Sequence, residues 1–165
     1  MSLHYLLDGY NIINQVPRFC EGTLEDRRLR LLAWLNIVRP QGSARNAVTV
    51  VFDGDPRYFG RPPCGCARVI FTAGESADDC LKRMVERSPA KKKLVVVSDD
   101  KDIKLYARAL GAGVLGVGEF AADLVRRRDK KTKTRPVSVK GAEGKHISLT
   151  QAQKINKEFE RIWLP

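Results

Sequence analysis

Four short apolar runs in this chain each lead into acidic residues, and that repetition constrains the fold more than any other feature. Leu3–Leu7 runs into Asp8-Gly9-Tyr10-Asn11, and Ala47–Phe52 ends at Asp53-Gly54-Asp55. Ala67–Phe71 leads through Thr72-Ala73-Gly74 to Glu75-Ser76-Ala77-Asp78-Asp79. Lys93–Val97 stops at Ser98-Asp99-Asp100-Lys101-Asp102. Apolar runs of this length, bounded by turn residues, read as buried strands. A carboxylate at the end of a core strand costs free energy unless hydrogen bonds, a cation or a metal compensate it. In an open α/β sheet the carboxyl ends of parallel strands line the ligand crevice. If these strands are parallel neighbours, their acids share one rim.

The segments between the runs carry helical signals. Asp8 to Pro17 reads as a loop broken at Pro17. Thr23 with Asp26 forms a capping box with Asp in place of the usual Glu, ahead of an apolar stripe of Leu24, Leu31, Leu35 and Val38, widened by Leu32 and Trp34. Pro40 and Gly42 end that helix. A second helix starts near Ser76, turns Cys80 or Leu81, Met84 and Val85 inward, and stops at Ser88-Pro89. Ser98 is the expected cap of a third, which carries Ile103, Leu105, Tyr106, Ala109 and Leu110 and ends at Gly111. Val114–Val117 reads as a fifth strand and Glu119–Arg127 as a last helix, with Phe120, Ala121 and Leu124 inward. Alternating strands and helices predict an α/β fold: a three-layer α/β/α sandwich around a mainly parallel sheet of about five strands, plus a C-terminal helix. The 165 residues divide into a domain over 1–127 and, over 128–165, a basic linker with an amphipathic helix.

Charge narrows the class of partner. Thirty Lys and Arg against 19 Asp and Glu give a net charge of +11, which points to a polyanion: nucleic acid, the ribosome or an anionic membrane surface. The excess gathers late, in Arg126, Arg127, Arg128, Lys130, Lys131, Lys133 and Arg135, where no apolar period is visible. Between Gly54 and Gly65, Arg57, Tyr58, Phe59 and Arg61 interleave cations with aromatics, as stacking on bases beside phosphates requires; inward packing of the same rings is the plainer alternative. Near the end, Ala152, Ile155, Phe159 and Ile162 form a stripe with Trp163 beside it. Its partner is the chain's own domain, a second copy in a homodimer, or another molecule. No run has the length of a transmembrane helix and no signal peptide is evident, so a cytoplasmic protein with reduced thiols is expected. Cys64-Gly65-Cys66 lacks a partner pair at zinc spacing, so Cys20, Cys64, Cys66 and Cys80 read as ordinary thiols.

Carboxylates converging on one crevice repel each other, so without a cation some take up protons or the site opens. A hard divalent ion with oxygen ligands resolves this, and beside a phosphodiester it activates water and stabilises the leaving oxygen. An acidic centre with a basic border is the layout of a metal-dependent nuclease. Helix capping is the competing explanation for Asp78, Asp79, Asp99 and Asp100, and a turn for Asp53-Gly54.

The motifs Asp8-Gly9-Tyr10-Asn11-Ile12-Ile13, Val51-Phe52-Asp53-Gly54, Phe71 through Asp79, and Val96-Val97-Ser98-Asp99-Asp100 resemble those of the NYN domain, its YacP-like branch above all. That domain belongs to the PIN-like nuclease superfamily, and the motif resemblance covers about residues 1–127. It implies a PIN-like sandwich and an endoribonuclease dependent on Mg2+ or Mn2+, with RNA as partner and ribosome-associated messenger RNA as an expected target. Residue by residue, it implies that Asp8, Asp78 and Asp100 are metal ligands. Asn11 and Asp102 join them as catalytic residues, although YacP-like members often differ at the position of Asp102. Asp53, Glu75, Asp79 and Asp99 are the supporting acids. The alternative on the same fold is a non-catalytic module that binds RNA or the ribosome. A small-molecule phosphatase is disfavoured, because no Asp-x-Asp directly follows the first strand.

Overall fold

All four runs form strands and a fifth joins them: β1 His4–Asp8, β2 Ala47–Asp53, β3 Arg68–Thr72, β4 Leu94–Val97 and β5 Gly113–Leu115. The computed structural model describes residues 2–43, 45–54 and 65–133, with side chains as far as 126. The expectations for Arg57, Tyr58, Arg61, Cys64, Arg135 and the C-terminal stripe therefore lie outside the described residues, as do those for the side chains of Arg127, Arg128, Lys130, Lys131 and Lys133. The strands pair in the order β3-β2-β1-β4-β5, and every pairing is parallel. Among the described residues five α-helices connect or follow them: α1 Gly9–Gln15, α2 Leu24–Val38, α3 Ala77–Arg87, α4 Lys101–Ala109 and α5 Val117–Lys133.

Strand periodicity divides the core into two layers. Tyr5, Leu7, Val50 and Phe52 face α1, α2 and α5, whereas Leu6, Val51 and Val96 face α3 and α4. Leu6 and Leu7 are neighbours, yet both have no exposed surface. Only a sheet covered on both sides buries consecutive residues in that way. Each such side chain contributes about 1.5–3 kcal/mol relative to exposure, so the apolar runs bind the helices to both faces. The predicted α/β/α sandwich is the observed fold.

The winding fixes where a ligand can sit. The chain moves outward from β1 through β2 to β3, then returns to the other side of β1 for β4 and β5. The direction of winding reverses between β1 and β4, and their carboxyl ends border the crevice of such a sheet.

Several local expectations change. Asp8 to Pro17 is not a loop, since α1 fills it. The α4 cap is Asp100 rather than Ser98. β5 ends at Leu115, because Val117 turns inward as the first residue of α5. Helix α5 runs to Lys133, through residues expected to form a linker. Arg and Lys are good helix formers and continue a helix without an apolar period. Leu24, assigned to the apolar stripe of α2, is 45% exposed, so that buried face is narrower than the spacing predicted, and Leu105 of α4 is 64% exposed.

Candidate active site at the carboxyl end of the sheet

Asp8 is both the last residue of β1 and the cap of α1. Its backbone is extended, and its Oδ1 accepts a hydrogen bond from the Asn11 amide at 3.0 Å. A side chain at the next residue is sterically excluded: a Cβ on Gly9 would lie 2.3 Å from Cε1 of Phe52. Glycine therefore lets the helix begin directly where the strand ends. The second carboxylate oxygen of Asp8 accepts from the Ser98 hydroxyl at 3.1 Å, at the end of the neighbouring β4. Ser98 is fully buried and Asp8 only 5% exposed. Burial pushes the Asp8 carboxyl above its ordinary pKa, bonds from Asn11 and Ser98 draw it back, and the charge of Asp53 pushes it up again.

Three more acids reach the same crevice from three other element ends. Asp100 caps α4, its Oδ1 accepting from the Ile103 amide at 3.0 Å, while its own amide donates to Ser98 Oγ at 3.1 Å. Asp53 closes β2 and reaches across to α3, where Oδ1 accepts from the Ala77 amide at 2.5 Å and from the Thr72 hydroxyl at 3.1 Å. Its backbone carbonyl is held in turn by the Tyr10 hydroxyl at 2.9 Å and by Arg28 Nη2 at 3.4 Å. The Arg28 guanidinium stacks over the rings of Tyr10 (5.1 Å), Phe71 (5.7 Å) and Phe52 (5.8 Å), so a cation fixes this strand end. Asp78 follows Ala77 in the first turn of α3. Burial raises its pKa first, then the charges of Asp8, Asp100 and Asp53; Lys82 opposes them. Asp8, Asp53, Asp78 and Asp100 together line a cavity of about 310 Å³. Tyr10, Asn11, Asn14 and Gln15 from α1 form its other wall.

The remaining expected residues lie elsewhere. The Asp102 side chain is 85% exposed and stands 3.7 Å from Lys82, away from the cavity lining. Glu75 forms a paired contact with the Arg83 guanidinium. Asp79 accepts from the Ser76 hydroxyl at 2.8 Å and donates its amide to the same oxygen at 3.0 Å, a helix-capping arrangement. Asp99 accepts from the Val117 amide at 3.3 Å and lies 3.7 Å from Lys104. Tyr10, Asn14, Gln15 and Ser98 were not among the expected site residues. The signal for Asn14 and Gln15 was their spacing of three and four from Asn11, which has meaning only once this stretch is a helix.

The donor set consists of carboxylate, amide and hydroxyl oxygens, the ligands of hard cations such as Mg2+ and Mn2+ rather than of zinc or copper. Among the described residues, no three His, Cys, Asp or Glu side chains are drawn together as a finished metal cluster. Asp8, Asp53 and Asp100 each commit an oxygen to an amide of the fold. The set nevertheless fits a hydrated ion, since burial first, and then neighbouring carboxylates, penalise the charged forms of Asp8 and Asp78, and a cation offsets both.

The family model of the YacP-like NYN domain matches residues 5–163. This chain belongs to the YacP-like NYN family. The match extends past residue 127, where the motif resemblance stopped. The NYN fold is also similar to the crystal structure of Rae1 (YacP) from Bacillus subtilis, with 21% identity, a TM-score of 0.62, and coverage of 98% of this chain and 94% of that one. A tryptophan-to-leucine variant of the same protein gives 20% identity, a TM-score of 0.61, and coverage of 97% and 94%. At such identity the likeness speaks for the fold alone. A comparison with curated protein sequences gives no match. The NYN family is a PIN-like nuclease family that acts on RNA. Among the described residues, no helix is long and apolar enough to cross a membrane.

Proposed function

We propose that this chain is an endoribonuclease that hydrolyses RNA phosphodiester bonds with Mg2+ or Mn2+, held by Asp8, Asp78 and Asp100. The observation that carries this reading is the buried carboxylate of Asp8 at the reversal of the sheet, with three further acids around one cavity. When bound, the ion supplies an activated water and stabilises charge on the leaving oxygen. The chain's own residues do the positioning. Ser98 and the Asn11 amide hold Asp8 by one oxygen each. Asp53 fixes the first turn of α3, and with it Asp78. The basic residues of α5 and beyond, from Arg126 to Arg135, supply affinity for the phosphate backbone that the acidic crevice alone would repel. Ribosome-associated messenger RNA is the target this reading favours.

The test is cleavage of a single-stranded RNA with and without Mn2+, by the native chain and by Asp8→Asn. Asparagine keeps the capping oxygen and removes the charge. Loss of metal-dependent cleavage with the fold retained is the expected result. Unchanged cleavage in Asp8→Asn overturns the proposal. A native chain that binds RNA without cutting it would instead be a binding module on this fold.

A further inference from the structure

The α1 wall of the crevice carries three neutral amides facing the acids. Asn11, Asn14 and Gln15 recur at spacings of three and four, on one face of the helix, and all three line the cavity. Their orientations are set by their partners. The Asn11 oxygen accepts from the Asp99 backbone amide at 3.3 Å and from the Gln15 side chain, so its NH2 group is turned away from both. The Asn14 oxygen accepts from Arg27 Nη2 at 2.6 Å; guanidinium has no acceptor, so the oxygen must face it and the NH2 group is left over. Gln15 spends an N–H on Asn11, which leaves its carbonyl oxygen. Arg27 is itself anchored on the Ile13 and Phe19 carbonyls, both at 2.8 Å, so the Asn14 orientation is fixed from behind.

We infer that Asn14 and Gln15 are specificity-determining residues that bind the ribose 2′-hydroxyl of the substrate strand. This inference rests on the crevice being the RNA site proposed above. A hydroxyl has one proton to give and lone pairs to receive, so an amide NH2 and an amide carbonyl lining one cavity can satisfy it in both directions. The 2′-hydroxyl is the group by which a protein distinguishes RNA from DNA. A lysine or arginine at these positions would grip phosphate, which RNA and DNA share. The neutral pair avoids both that indiscriminate grip and an ion pair with Asp53, Asp78 or Asp100 across the cavity.

The experiment compares a ribo-tetranucleotide with the 2′-deoxy tetranucleotide of the same base sequence. Binding is measured on Asp8→Asn, with and without the further change Gln15→Met, and kcat/KM on the native chain and Gln15→Met. Methionine keeps the length and helix propensity of glutamine, and the thermal midpoint checks the fold. One hydrogen bond of ordinary strength corresponds to a factor of up to about ten. The ribo-over-deoxy ratio should therefore fall by roughly that factor with Gln15→Met in both measurements. A ratio that does not move, or equal losses on both strands, overturns the inference. A changed base preference at constant ratio also overturns it, assigning the amides to a base edge. Failure of the native chain to cleave any RNA sinks the nuclease reading alone, because the binding ratio still tests the hydroxyl contact.

Discussion

Two recesses open near opposite ends of β1, separated by about 13 Å of strand. The larger, about 380 Å³, lies at the amino end, where His4, Arg83, Arg87, Ser88 and Leu94 surround it. The smaller, about 310 Å³, is the acid crevice. At the amino end His4, Arg83 and Ser88 have partners within the fold: His4 Nε2 lies 2.8 Å from Thr49 Oγ1, Arg83 is paired with Glu75, and Lys91 Nζ donates to the Ser88 carbonyl at 3.4 Å. Burial, and then the charge of Arg68, hold His4 below its ordinary pKa, so the ring is neutral at pH 7. At the carboxyl end, burial first and then neighbouring carboxylates hold Asp8 and Asp78 above their ordinary pKa. Volume is therefore a poor guide to the site in this molecule. Carboxylates buried beside one another are the better one.

The largest test of that contrast is activity. Asp8→Asn should lower Mn2+-dependent RNA cleavage by more than about 100-fold, beyond the usual cost of losing a group that merely supports a metal ligand. His4→Gln, at the larger recess, should stay within about twofold in the same assay, as substitutions away from key features do. Comparable losses from both would erase the distinction between the two ends.

Within the acidic end, Asp78 and Asp79 sharpen the same contrast. Asp78 lines the cavity, whereas Asp79 is occupied with Ser76 at the start of α3. Asp78→Ala should cost at least about tenfold in turnover. Asp79→Ala should act mainly on the thermal midpoint. Equal or reversed effects on turnover would show that the wrong member of the pair faces the reaction.

A stability measurement reads what it costs to hold these carboxylates charged in the fold. In the folded chain Asp8 and Asp78 sit above their ordinary pKa, so folding favours their protonated forms. The stability this contributes is fully present below the ordinary carboxylate range and is lost as pH rises through the raised values. Metal-free Asp8→Asn should therefore be more stable than the native chain at pH 7, with an advantage that shrinks on acidification toward pH 4. Thermal midpoints of both proteins across that window, in chelator, supply the comparison. An advantage independent of pH would remove the buried charge as its cause.

The smallest expected effect concerns the basic tail. Replacing Lys130, Lys131, Lys133 and Arg135 with Gln should flatten the dependence of log K on log salt by roughly 0.7 for each phosphate no longer neutralised. Turnover at saturating RNA should hold. A slope that does not change in a titration over several salt concentrations would leave the tail as a connector only.

Much of this layout is legible in the sequence, for a simple physical reason. Buried parallel strands announce themselves as apolar runs, and Asp8, Asp53 and Asp100 stand at the abrupt ends of such runs or just beyond them. What is hidden depends on three dimensions. Gly9 reads as a turn residue, but it is there because the Phe52 ring occupies the space of a side chain, and that ring belongs to another strand. Without α1, Asn14 and Gln15 have no visible role. Asp102 fits a sequence pattern, yet two residues past the Asp100 cap the helix has already carried it to the exposed side beside Lys82. The Ser98 hydroxyl reads as a cap, and only the β1–β4 pairing shows that it serves Asp8.

The junction between β1 and α1 contains no spare residue, and this sets what kind of change the site can absorb. One residue inserted between Asp8 and Gly9 would turn α1 by about 100° and advance it by about 1.5 Å. The amide face would swing out of the crevice and Gly9 would no longer sit against the Phe52 ring, although every side chain of the site would still be in the sequence. Exchanging Asn14 or Gln15 for another residue alters only what that wall offers. Chain length is thus the forbidden variable at this junction and amide-face composition the adjustable one, so a redesign toward a different nucleic acid would begin on α1 and leave its starting point alone.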